Sequence, residues 1–245
     1  IPPMGLNPCG DPFGGGCGGG GSGDDGYEYP EPPQESPCEK ISTIGRNDKT
    51  KNLFKGLKEK TTSSNLEHGY ILNKTGNTIN ETAIQGVPGD PEIKIDISGK
   101  FDGLIHSHYQ GLLSVFSVYD MFVLAKAYKN GLIKDMNTFV VGVVTASGTQ
   151  YLMVIDDPVK FASFADNLFV GSDFDNVVVK NYEDAYQFIY KITPTNSASA
   201  NEKSFYNYLE ANGTGLKVLK GDANFNNWGV LTKDSSGNVT PQDCQ

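Results

Sequence analysis

The segment Gly103-Leu104-Ile105-His106-Ser107-His108 constrains this chain most, because it ends an apolar run with two histidines two residues apart. In an extended strand, residues i and i+2 point to the same side, so both imidazoles leave one face. After Tyr109 to Phe116 comes Ser117-Val118-Tyr119-Asp120, which opens a run with Met121, Phe122, Leu124, Ala125 and Tyr128 at helical spacing. Ser117 and Asp120 stand at i and i+3, so they share one face of that helix's first turn. Two imidazoles and a carboxylate are three ligands of the kind zinc takes, with a fourth position left for water. A strand that delivers ligands to its end and feeds a helix points to an α/β or α+β fold.

Each part also has a plainer explanation. Ser117-x-x-Asp120 reads equally as a capping box, in which Ser117 caps the helix and Asp120 answers its N–H. His106 and His108 can be strand histidines hydrogen-bonded inside the fold, and Glu67 an ordinary strand-edge carboxylate. The combination in one order favours a metal site. Only three histidines occur, His68, His106 and His108, so polynuclear centres built on four or more are excluded. His68 alternates away from Glu67 along their strand and is assigned to packing or surface.

The net charge of −9 is concentrated at the start of the chain. Residues 1–38 hold Asp11, Asp24, Asp25, Glu28, Glu31 and Glu35 with no Lys or Arg, which is −6 and leaves −3 for the rest. With its Gly14 to Gly23 run and many prolines, this stretch is expected to be a disordered linker tethering an upstream domain. Residues 39–245 then form one domain. A near-neutral domain behind an acidic tail argues against nucleic acid as a partner. The lysines from Lys49 to Lys60 are read as the solvated side of a helix. No apolar run approaches the ~20 residues needed to span a bilayer. Because the sequence begins with Ile1, it is expected to be processed or cut from a longer protein. Cys9, Cys17, Cys38 and Cys244 all lie outside the expected fold. Cys38 and Cys244 bracket it and either pair, which would imply an oxidising, secreted or cell-surface setting, or remain free thiols.

Around the motif, helices are expected over 49–61, 117–130, 158–169, 182–192 and 200–212. Strands are expected over 66–72, 92–98, 101–106, 138–145, 150–155, 216–219 and 228–232. Glu92 to Ser98 alternates apolar Ile93, Ile95 and Ile97 with polar neighbours, the mark of a half-buried strand. Strands and helices interleave without a Gly-rich phosphate loop.

With Glu67 before Gly69-Tyr70-Ile71-Leu72, then His106-Ser107-His108, Ser117 and Asp120, residues 48–155 resemble the JAMM (MPN-plus) zinc metallopeptidase family. Its motif is an upstream Glu, H-[S/T]-H, seven residues and S-x-x-D. The resemblance implies a curved mixed central sheet flanked by helices, with an extra helical region after about residue 156. It implies Zn2+ held by His106, His108 and Asp120, Glu67 as general base and Ser117 as oxyanion donor. The activity implied is hydrolysis of a peptide or isopeptide bond in a protein or peptide substrate. The alternative is a catalytically inactive scaffold or binding domain of a larger surface or secreted protein. Here the spacer from Tyr109 to Phe116 has eight residues, and Tyr109 stands where Pro is common in the family. The extra residue is either absorbed in the loop or displaces Asp120.

Overall fold

The computed structural model describes residues 35–88, 93 and 99–244. The acidic Gly/Pro-rich stretch up to Gln34 and nearly all of the expected strand over 92–98 lie outside the described residues. Ser36, at the end of the expected linker, caps a helical turn α1 (Pro37–Lys40) through a complete capping box with Glu39. There follow α2 (Asp48–Ser63), β1 (His68–Thr75), β2 (Thr78–Gln85), β3 (Gly103–His108), α3 (Val118–Lys129), β4 (Val140–Thr145) and β5 (Gln150–Ile155). The rest of the chain forms α4 (Pro158–Asn167), the two-residue pair β6 (Phe169–Val170) and β7 (Asp173–Phe174), and α5 (Asn176–Asp184) running into a π-helical turn, Ala185–Ile189. Then come α6 (Ala198–Ala211), β8 (Leu216–Gly221), β9 (Trp228–Lys233) and β10 (Val239–Asp243).

Eight strands make one mixed sheet in the order β10-β9-β8-β5-β4-β3-β1-β2. Only the β3–β4 pair is parallel; the other pairings in this sheet are antiparallel. A parallel pair needs a crossover, and α3 supplies it. β3, β4 and β5 are buried along their whole length, as strands covered on both faces must be. Alternation divides the core. Leu104, Val141, Val143, Met153 and Ile155 face the side of α3, α4 and α6. Ile105, Val140, Val144, Leu152 and Val154 face the side of α2 with Phe54, Phe225 and Trp228. Helix α3 closes where the sequence predicts, at Gly131, whose φ of +65° suits glycine.

The strands expected over 216–219 and 228–232 are β8 and β9, and with β10 they extend the central sheet. Two sequence expectations change. The helix expected over 182–192 starts earlier, at Asn176, where Asp175 caps the free N–H groups of Val177 and Val178. The strand expected from Leu66 begins at His68: its ladder ends with His68 opposite Gln85, and the Glu67 carbonyl accepts the Gly86 N–H. The open cysteine question is also answered, since Cys38 and Cys244 form a disulfide on the α2 side. Among the described residues no helix is long and apolar enough to cross a membrane.

Candidate metal centre

β3 carries His106 and His108 to the edge of the α3-side core, each 3% exposed. The backbone approaches closely there. A Cβ at Gly69, which pairs with His106, would stand 2.8 Å from the Ile105 carbonyl oxygen and 3.2 Å from the His106 Cβ. Glu67, just ahead of β1, is delivered beside the histidines and is 4% exposed. Helix α3 then brings Asp120 over the pair.

The polar atoms converge. The two Nε2 atoms are 3.2 Å apart. Asp120 Oδ1 lies 3.0 Å from His106 Nε2, and Asp120 Oδ2 lies 3.8 Å from His108 Nε2. Glu67 Oε1 lies 3.5 Å from His108 Nε2. Glu67, His106 and His108 form a buried group whose ligand atoms all lie within 4.8 Å of one another, an arrangement that can hold a metal ion. Two ligands on a tetrahedral zinc stand about 3.3 Å apart, given bonds of about 2.0–2.1 Å. The 3.2 and 3.0 Å separations fit that edge. His108 Nδ1 lies 2.9 Å from the Leu113 carbonyl. Donating its proton there leaves the Nε2 lone pair facing the site, the support a ligating histidine requires. His106 Nδ1 is buried without a hydrogen bond of good geometry, although the Gly142 carbonyl lies on that side.

The electrostatics favour a cation. Burial opposes a charge on His106, but the Asp120 carboxylate beside it outweighs burial and holds that imidazole up at about 9. Burial first, and then the neighbouring His106, press His108 down to about 4. Burial would raise Asp120, yet His106 outweighs it and holds the carboxyl down at about 2. A positive charge is thus stabilised between the carboxylates. Without metal, a proton on His106 supplies it.

Ser117-x-x-Asp120 forms the capping box, and the same turn brings Asp120 to His106. Ser117 N–H and Oγ–H donate to Asp120 Oδ2 at 2.6 and 3.0 Å, and Asp120 N–H donates back to Ser117 Oγ at 3.2 Å. Asp120 uses one oxygen for the cap and turns the other to His106. The eight-residue spacer starts with a turn, in which Leu112 N–H bonds the Tyr109 carbonyl and Gly111 takes a φ of +99°. Beyond β4, Thr149 Oγ1 donates to the Ser114 carbonyl at 2.6 Å, Asn201 Nδ2 to Ser114 Oγ at 2.9 Å, and Tyr186 Oη to the Phe116 carbonyl at 2.6 Å.

No family model, curated protein or solved structure matches this chain. The site therefore rests on its own geometry.

Sequence reasoning brought together Glu67, His106, His108 and Asp120, and the structure places all four in one cluster. Ser117 stands beside them with its hydroxyl on Asp120. His68 is apart, with Nε2 3.0 Å from Ser64 Oγ. The sequence reading missed Tyr186 and Asn201, which reach the spacer loop from 70 and 87 residues away. No local pattern marks a residue whose partner is a distant backbone carbonyl. A cleft of about 580 Å³ opens at the cluster, lined by Glu67, His108 and Ser117 together with Tyr186, Gln187 and Ile192.

Proposed function

We propose that the chain is a zinc-dependent hydrolase of peptide or isopeptide bonds. The observation that carries this reading is the convergence of two buried imidazole Nε2 atoms, the buried Glu67 carboxylate and the partly buried Asp120 carboxylate beside an open cleft. His106 and His108, through Nε2, and Asp120, through Oδ1, would hold the ion. A zinc bound there supplies Lewis acidity and lowers the pKa of its water from ~15.7 toward ~7. Glu67, near His108 and open to the cleft, accepts the proton of the attacking water and hands it to the leaving amine nitrogen. Ser117 lines the same cleft, and its hydroxyl, which here donates to Asp120 Oδ2, turns to donate to the substrate carbonyl oxygen as charge develops there. The donor set and its order along the chain are those of the JAMM family, which this segment resembles.

A second reading, a non-catalytic scaffold of similar architecture, has one observation in its favour. The Ser117–Asp120 capping box is a purely structural use of two of the motif residues.

Elemental analysis of the purified chain, paired with a peptide-cleavage screen, tests both readings. About one zinc per chain and measurable turnover are expected. Glu67→Gln should keep the metal and lose about 10²- to 10⁴-fold in rate, whereas His106→Ala should lose metal and turnover together. Metal loss in Glu67→Gln would make Glu67 a ligand rather than the base. Failure of the wild type to take up zinc would leave the scaffold.

A further inference from the structure

Part of the cleft lining comes from the stretch of chain that the motif does not cover. The π-helical turn Ala185–Ile189 is capped by Tyr190 and followed by Lys191, a non-glycine residue at φ +54°. After the reversal, Ile192 to Thr195 line the cleft together with Leu112, Leu113 and Val118. A π-turn followed by a residue in the left-handed region is costly backbone geometry, kept where the surroundings dictate it. Here Asn201, fully buried, fixes the reversal: its amide donates to the Thr193 carbonyl at 2.8 Å and accepts the Thr193 N–H at 3.3 Å. The same side chain bonds Ser114 in the spacer loop, one residue from the cleft-lining Leu113, so one residue ties together the two loops that supply these lining residues.

The chemistry of that space is apolar. Its charged rim residues are satisfied within the protein: Lys180 pairs with Asp184, and Glu183 accepts the Tyr119 hydroxyl at 2.9 Å. Thr193 and Thr195 bond each other through their hydroxyls at 3.1 Å. Apart from Gln187 and the polar groups of the metal cluster, the rest of the lining is mostly carbon, from Leu112, Leu113, Val118, Tyr186, Ile192 and Pro194. Phe188 and Ile189, next along the π-turn, stand 64% and 72% exposed. Exposed apolar side chains grouped beside a concave site mark a binding surface.

We propose that the space between Leu112 and the Ile192–Thr195 loop is a subsite for one bulky apolar side chain of a peptide substrate, such as Leu, Met or Phe. That side chain flanks the bond cut at the Glu67–His108 end. The proposal rests on the hydrolase reading for its substrate and on the cleft alone for its selectivity. An acidic or lysine side chain would lose its hydration there without gaining a free partner.

Two measurements on the full chain separate the two claims. In the first, methyl groups of Leu, Ile and Val are followed by NMR while N-acetyl-leucine amide, N-acetyl-glycine amide or N-acetyl-aspartate amide is added, with and without zinc. The leucine amide should shift the Leu112, Leu113 and Val118 methyls, and the other two should not. Leu112→Arg should abolish the response, as should Thr195→Arg, an exposed position that spares the core should the first variant fold poorly. Equal shifts from all three probes, or none, would overturn the subsite. The second measurement is cleavage of peptides randomised on both sides of the scissile bond. A preference of about tenfold or more for Leu, Met or Phe over Gly or Asp at one flanking position is expected, and an indifferent profile would overturn it. Leucine-selective methyl shifts without any cleavage would sink the hydrolase reading while upholding the subsite.

Discussion

The two faces of β3 are built by opposite rules. Toward α2, Ile105 belongs to a cluster of aromatic and aliphatic side chains in which Phe54 stacks on Phe225 at 5.2 Å and meets Trp228 at 6.1 Å. The Cys38–Cys244 disulfide packs against that same cluster. Toward α3, the next residue, His106, sits with His108, Glu67 and Asp120 in a buried knot of charge. Burying apolar surface contributes roughly 25 cal/mol per Å². Burying ionisable groups costs free energy that their mutual attraction only partly returns. Toward α2, Ile105 serves packing alone, whereas toward α3 the strand sends Leu104 into the core and sets His106 and His108 among carboxylates beside it.

This division can be broken by a change confined to the face toward α2. Phe54→Ala should cost about 3–5 kcal/mol, the usual result of emptying a fully buried aromatic site, because Phe54 is wholly buried. Denaturant unfolding measures the loss. Zinc affinity of the still-folded variant should stay within about threefold of wild type. A larger drop would mean that packing under the sheet sets the geometry above it and that the two faces are one unit.

The disulfide sharpens the same point. It links residues 206 apart in sequence. By chain entropy such a closure stabilises by at most about 5 kcal/mol, and removing native disulfides typically costs 2–5. The double variant Cys38→Ser, Cys244→Ser should unfold at correspondingly lower urea, and reduction of the wild type should reproduce the shift. Both should leave zinc content unchanged. If reduction released the metal, the staple would belong to the site rather than to the opposite face.

What the sequence made legible follows from how local each signal is. The buried strand with its H-x-H and the helix start at Ser117 are short-range patterns, and both are present, the strand two residues later than the 101–106 expected. β10 was hidden by Pro241, which lacks the N–H a ladder needs; it is tolerated because β10 is the sheet's outermost strand. Helix α5 begins Asn-Val-Val-Val, a β-branched run that looks like a strand. It becomes helix because Asp175 caps it and because Val178 and Val179 pack on the core. The Cys38–Cys244 pairing and the Tyr186 contact are meetings of distant segments, about which local composition says nothing.

Tyr186 gives the finest test of the comparison, because it is a packing residue on the functional face. Its ring lies against Phe205 and Tyr208 with centroids 6.3 and 5.3 Å away, so Phe fits the same space. Its hydroxyl holds the Phe116 carbonyl, directly before Ser117 and the Asp120 cap. Tyr186→Phe leaves that buried carbonyl unsatisfied, which should cost about 1–3 kcal/mol of stability. If the bond also positions the start of α3, zinc affinity should fall by roughly tenfold, toward the low end of what lost support for a metal ligand costs. Isothermal titration against a competing chelator reads the affinity, and unfolding reads the stability. Lost stability with unchanged affinity would reduce Tyr186 to a core residue. A loss of both would make the chain beyond residue 156 a brace that holds Asp120 over the histidines, which is how an eight-residue spacer can still deliver its carboxylate.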